Sequence, residues 1–251
     1  MKLKVIALVI SFLLTDLLFS TDPPKPKYGP EAIPISQSHD YFRKNPAPDY
    51  WALSPYYTAQ FSERSCSTAA VTMLVNAARV GENLGSEEEL VTEQKLIKRV
   101  KDQMWNKLLD PQSKGFLVIL KDLKPLIEKS LAAYGIQGTT VEVIHIANTS
   151  NETRNRLHKI LVENEKTARD FMIAVFIQGI YTGDAYVGHI APVGAYDAKA
   201  KRVLILDPDR QWYEPYWVSE ETFLKGMVTK DEQSGNEWRG YLWVKLKEGA
   251  R

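Results

Sequence analysis

Residues 60–79 read QFSERSCSTAAVTMLVNAAR. From Ser67 to Arg79 the run is rich in helix formers, with apolar residues on a helical face, which predicts a helix with Cys66 at its N-terminus. Cys66 is the only cysteine of the chain. A single thiol cannot be half of an internal disulfide or part of a multi-cysteine zinc site. It is core filler, an intermolecular link, or a working nucleophile. Sulfur attacks as thiolate, and both a helix N-terminus and a neighbouring imidazole favour that form.

The imidazole is expected from the other half of the chain. Past residue 170 the pattern changes from helical to β: 172–180, 188–196, 202–206 and 241–246 read as strands, with a turn at Asp197-Ala-Lys-Ala200. His189 lies in Val187-Gly-His-Ile-Ala-Pro192, and Gly188 before it leaves room for close approach of backbone or substrate. Asp207 ends the apolar run 203–206, eighteen positions after His189. Two antiparallel strands joined by the Asp197 turn bring those ends together. A carboxylate there would fix the histidine tautomer and stabilise the imidazolium. Gln60, six residues before the cysteine, can add a side-chain amide to the Cys66 backbone N–H as an oxyanion donor. Singly, each residue has an ordinary reading: a buried cysteine, a hydrogen-bonded core histidine, an aspartate opening a turn, a surface glutamine. His39, His145 and His158 read as ordinary loop, strand and helix positions.

Before these strands, 86–109 and 116–134 read as helices, the second kinked or broken at Pro125. Residues 139–146 read as a strand and 151–164 as a further helix. The layout is α+β: a helical N-terminal half carrying the nucleophile, a C-terminal antiparallel sheet carrying His189 and Asp207, and a site in the cleft between them.

Composition narrows the function class. The 251 residues are 44% hydrophobic and 25% charged, at a net charge of +1. No run of like charge marks a nucleic-acid or membrane-surface footprint, so a small or peptide-like partner is expected. Lys2 and Lys4, the apolar run 5–19 and Thr21-Asp-Pro-Pro24 fit a secretory signal over 1–20, implying export to a periplasmic or extracellular space and no membrane attachment after cleavage. Proline-rich 21–48 reads as an extended lead-in, and 49–248 as the catalytic domain.

Three stretches resemble the catalytic domain of phytochelatin synthases, particularly the shorter bacterial members. Asp49-Tyr-Trp-Ala-Leu-Ser54, Gln60, Cys66 and Met73-Leu-Val-Asn-Ala77 are similar to the nucleophile block. Gly188-His-Ile-Ala-Pro192 with Ala195-Tyr196 is similar to the histidine block. Leu206-Asp-Pro-Asp-Arg210 with Tyr213-Glu-Pro-Tyr-Trp-Val218 is similar to the aspartate block. The resemblance implies a papain-like fold acting on glutathione. Cys66 would be the nucleophile, His189 the base, Asp207 the orienting carboxylate and Gln60 the oxyanion residue. The thiolate would cleave the Cys–Gly bond, release glycine, and pass the γ-glutamylcysteinyl group to water or to a second glutathione. Arg210, Gly188 and Phe176 would touch substrate, the arginine through bidentate hydrogen bonds to carboxylate.

The sequence also departs from the family. Asn-Tyr-x-Arg normally precedes the histidine, and counting back from His189 those places hold Phe176-Ile-Gln-Gly179. A lost charge-assisted bond would weaken substrate binding by ~1.5–3 kcal/mol. Phe176 and Gly179 would then line a more apolar or roomier pocket, which keeps open another peptide or amide substrate, as well as an idle binding module on the same fold. No built-in cofactor is expected. A heavy-metal ion such as cadmium would arrive as a thiolate complex of the substrate. A homodimer is left open.

Overall fold

The computed structural model describes residues 26–80, 84–110, 112–113 and 116–247. The expected signal over 1–20 lies outside them. Among the described residues no helix is long and apolar enough to cross a membrane.

The first elements are β1 (Ala32–Pro34), α1 (Asp40–Lys44) and α2 (Pro48–Leu53), followed by α3 (Cys66–Ala78), α4 (Glu93–Val100), α5 (Gln103–Leu109) and α6 (Leu120–Ala133). Then come β2 (Thr140–His145), α7 (Asn151–Asn164), β3 (Asp170–Ile177), α8 (Gln178–Thr182), β4 (Gly188–Asp197), β5 (Arg202–Ile205) and β6 (Tyr216–Ser219). The chain ends in α9 (Glu220–Met227), the short pair β7 (Lys230–Asp231) and β8 (Glu237–Trp238), and β9 (Gly240–Lys245). This is an α+β fold. One antiparallel sheet runs β1-β6-β5-β4-β3-β9-β2.

Both sheet faces are covered. Ile173, Val175, Leu242, Val244, Leu204 and Trp217 pack with α3 and α6 in one apolar layer. Met172, Ala174, Phe176, Tyr241, Val203 and Val218 pack with α7 and α9 in the other. Strand alternation makes this division, since successive side chains point to opposite faces. In β4 the register slips between Val193 and Ala195. That bulge flips the parity, so Val193 and Tyr196 serve the same layer. Gly194 sits at the slip, where a Cβ would meet the Leu206 side chain at 2.7 Å.

Four expectations change. The α3 helix is buried on every side, not on one face; it is the central helix of its layer. The single helix expected over 86–109 is two. Thr92 caps α4 by accepting from the Lys95 amide, Lys101 turns left-handed at φ 54°, and Asp102 caps α5 by accepting from the Met104 amide. The strand expected over 172–180 ends at Ile177, and Gln178 opens α8. The lead-in is not merely extended: β1 pairs with β6 and closes one edge of the sheet.

Candidate active site

Three loops converge at one end of the sheet: the segment before α3, the start of β4 and the turn after β5. The Asp197 turn makes β4 and β5 a hairpin, paired from Asp197–Arg202 back to Val193–Ile205. His189 at one end then donates from Nε2 to Asp207 Oδ1 at 2.6 Å. With Nε2 committed, Nδ1 is the nitrogen left for a second partner, and the Cys66 side chain is near enough to add to the upward pull on the imidazole. Cys66 is 4% exposed, at the first turn of α3.

Asp207 is fully buried and well supplied with donors. Besides His189, its carboxylate accepts from the Asp209 amide (2.9 Å), the Tyr216 hydroxyl (2.8 Å) and Gln178 Nε2 (3.2 Å). Its main-chain carbonyl accepts from the Tyr57 hydroxyl at 2.6 Å. Burial alone would raise the carboxyl, but the imidazole and these donors outweigh it and hold Asp207 below the usual carboxylate range. For His189, burial works towards the neutral ring, and the Asp207 carboxylate overrides it, holding the imidazole well above its ordinary value.

Beside His189 opens a cleft of about 800 Å³, lined by Gln60, Gly188, His189, Gln178 and Asp209, with Phe61, Val187, Trp212 and Tyr213 as apolar wall. The Gln60 backbone is pinned by its N–H to the Pro208 carbonyl at 2.8 Å. The Gln60 side-chain oxygen is buried and has no hydrogen-bond partner among the described residues. Among those residues there is also no cluster of three histidine, cysteine or acidic side chains placed to hold a metal.

Two residues expected to touch substrate sit elsewhere. Phe176 is fully buried, stacked on Tyr181 at 4.3 Å and meeting the His189 ring edge-on at 5.6 Å. It is the cross-strand partner of His189, so its place is behind the imidazole and not in the cleft. Arg210 is exposed, its guanidinium 4.2 Å from the centre of the Tyr57 ring, and it is not part of the cleft wall. Gly179 does not make the pocket roomier either: a Cβ there would lie 2.6 Å from the Asp184 and Ala185 carbonyls, so the glycine lets the loop 183–187 close over α8.

Residues 36–241 match the phytochelatin synthase family. This chain belongs to that family. Every residue just described in the cleft and around Asp207 falls inside the matched span. Glutathione gamma-glutamylcysteinyltransferase 1 of Arabidopsis thaliana is 23% identical over 222 residues, which cover 86% of this chain and 42% of that protein. Glutathione gamma-glutamylcysteinyltransferase of Schizosaccharomyces pombe is 37% identical over 81 residues, 32% of this chain and 18% of the yeast protein. The chain therefore spans less than half the length of these phytochelatin synthase relatives.

Sequence reasoning passed over Gln178 and Tyr216. Gln178 was only the variable place of the Asn-Tyr-x-Arg comparison, and Tyr216 only part of a similar block. Both become partners of Asp207 through folding, by routes no local pattern encodes. A buried carboxylate needs more than one donor, so polar residues near Asp207 were the available signal.

Proposed function

We propose that this chain is a papain-like cysteine acyltransferase acting on glutathione through Cys66, His189 and Asp207. The observation that supports it most is His189 held by Asp207 at 2.6 Å, near Cys66 and lining the cleft. The thiol proton passes to His189, and the sulfur attacks the carbonyl carbon of the Cys–Gly bond. The oxyanion is met by the Cys66 N–H at the start of α3 and by the side-chain NH2 of Gln60. His189 then gives its proton to the departing glycine nitrogen, leaving a γ-glutamylcysteinyl thioester on Cys66. Water, or the amine of a second glutathione, attacks that thioester and regenerates the thiol, with His189 taking the proton of the attacking group. Asp207 stays ionised throughout and holds the imidazolium. A metal such as cadmium enters as part of the substrate, bound by its thiolates.

Incubation with glutathione, with and without cadmium, followed by mass spectrometry of the products, tests the reading. Glycine with γ-glutamylcysteine is expected, and chains of repeated γ-glutamylcysteine would show transfer to a second glutathione. Failure to release glycine from glutathione under either condition would contradict the reading.

A further inference from the structure

Glu93 is a buried carboxylate with no role in the chemistry described above. It is the first residue of α4, 3% exposed, and faces away from its own helix. Oε1 accepts from the Phe61 backbone N–H at 2.9 Å, Oε2 accepts from the Thr68 hydroxyl, and the Ser65 hydroxyl is near enough to favour the charged form. All three partners are neutral, so the carboxylate is not buried for the sake of an ion pair. Burial pushes it up, Thr68, Phe61 and Ser65 pull it back only partly, and the carboxyl ends at about 7. A group so costly to bury needs a compensating function.

Its partners identify that function. Phe61, Ser65 and Thr68 bracket the loop between Gln60 and Cys66, the two residues that supply the oxyanion donors. The other end of the loop is fixed by the Gln60 N–H on Pro208, next to Asp207. Ser65 closes the loop internally, with its hydroxyl accepting from the Ser62 N–H at 3.0 Å. The segment is thus clamped at both ends: by the aspartate turn, and by Glu93 reaching across from α4.

We infer that Glu93 is a positioning residue that sets the separation of the Gln60 amide and the Cys66 N–H, and so acts on the transition state of acyl transfer and not on substrate binding. This rests on the acyl-enzyme reading. The geometry needs a hydrogen bond at each of two points, not a charge. A glutamine can accept from Phe61 through its oxygen and donate to Thr68, whose hydroxyl already lies 2.9 Å from the Ser65 carbonyl as an alternative acceptor.

The test compares Glu93→Gln, Glu93→Leu and Thr68→Val, each rate being divided by the amount of Cys66 that iodoacetamide labels rapidly at mildly acidic pH, where the ordinary thiol of misfolded protein stays protonated and does not count. Two reactions are followed: glycine release from glutathione, and the burst of p-nitrophenol when p-nitrophenyl acetate acylates the thiol. Glu93→Leu is expected to lose roughly 10- to 100-fold in kcat, with KM within about 3-fold. Glu93→Gln should stay within about 3-fold of the parent, and Thr68→Val should fall in between. An unchanged kcat per reactive thiol in Glu93→Leu, or a loss in Glu93→Gln as large as in Glu93→Leu, overturns the inference. If Glu93→Leu does not fold, an unchanged Thr68→Val does the same. A parent protein that gives the ester burst but no glycine defeats the glutathione reading, and the ester burst alone then decides on Glu93.

Discussion

At the scale of single residues the site depends on how Asp207 is held. Four donors converge on one buried carboxylate, and they explain why it stays ionised without a lysine or arginine beside it. Removing one donor should weaken its grip on His189 by about the worth of one hydrogen bond to a charged group, ~1.5–3 kcal/mol. Tyr216→Phe is therefore expected to lower kcat/KM by roughly 10- to 100-fold with the fold intact, read by steady-state kinetics beside circular dichroism; activity equal to the parent would mean that the Tyr216 bond is dispensable. The pairing of His189 with Asp207 was legible, because a turn at Asp197 between two antiparallel strands brings those ends together. Phe176 was misplaced because its number was taken from a motif. Its parity with Met172 and Ala174 along β3 puts it on the face opposite Ile173 and Val175, inside an apolar layer.

Secondary-structure elements transmit packing to the imidazole. Tyr181 on α8 stacks on Phe176, which meets His189, and Gly226 on α9 lies against the same tyrosine. A Cβ at Gly226 would come within 2.3 Å of the Tyr181 ring, whose hydroxyl is tied to the Phe223 carbonyl at 2.7 Å. Gly226→Ala gains about 1 kcal/mol of helix propensity but overpacks a full layer at a cost of ~1–3 kcal/mol. The net expectation is a lower urea midpoint together with a lower kcat, and a raised midpoint would show that the layer yields easily. Helices were legible where periodicity was strong: 151–164 agrees with α7. The region 86–109 was not, since a left-handed Lys101 leaves no composition signal. Strand β6 and helix α9 went unread because Tyr216–Ser219 is only four residues long and runs straight into the helix.

Across the whole molecule, buried acids set the response to pH. Burial raises Glu165 to about 7 and Asp170 to about 6, and it raises Asp49 well above its ordinary value, with the Glu165 and Asp170 charges adding to the effect. In the unfolded chain these groups ionise near pH 4. Between pH ~4 and ~7 the native state therefore holds more protons than the unfolded state, and stability falls as pH rises. His189 acts in the same direction: its contribution is full below about pH 6.5 and is lost as pH rises through its elevated native value. The depressed Asp207 acts oppositely, but its contribution is lost only as the medium becomes more acidic than its native value, below that window. Urea unfolding should thus show a more stable protein at pH 5 than at pH 8, and Asp49→Asn should narrow the difference. A protein more stable at pH 8 would contradict this assignment.

The central claim, that Cys66 carries the acyl group, is tested most directly by intact-protein mass spectrometry after rapid mixing with glutathione and acid quench. The account predicts a γ-glutamylcysteinyl adduct that maps to the peptide containing Cys66, is absent in Cys66→Ala, and accumulates more slowly in Asp207→Asn. Glycine release by Cys66→Ala at the parental rate, with no adduct on the parent protein, would contradict it.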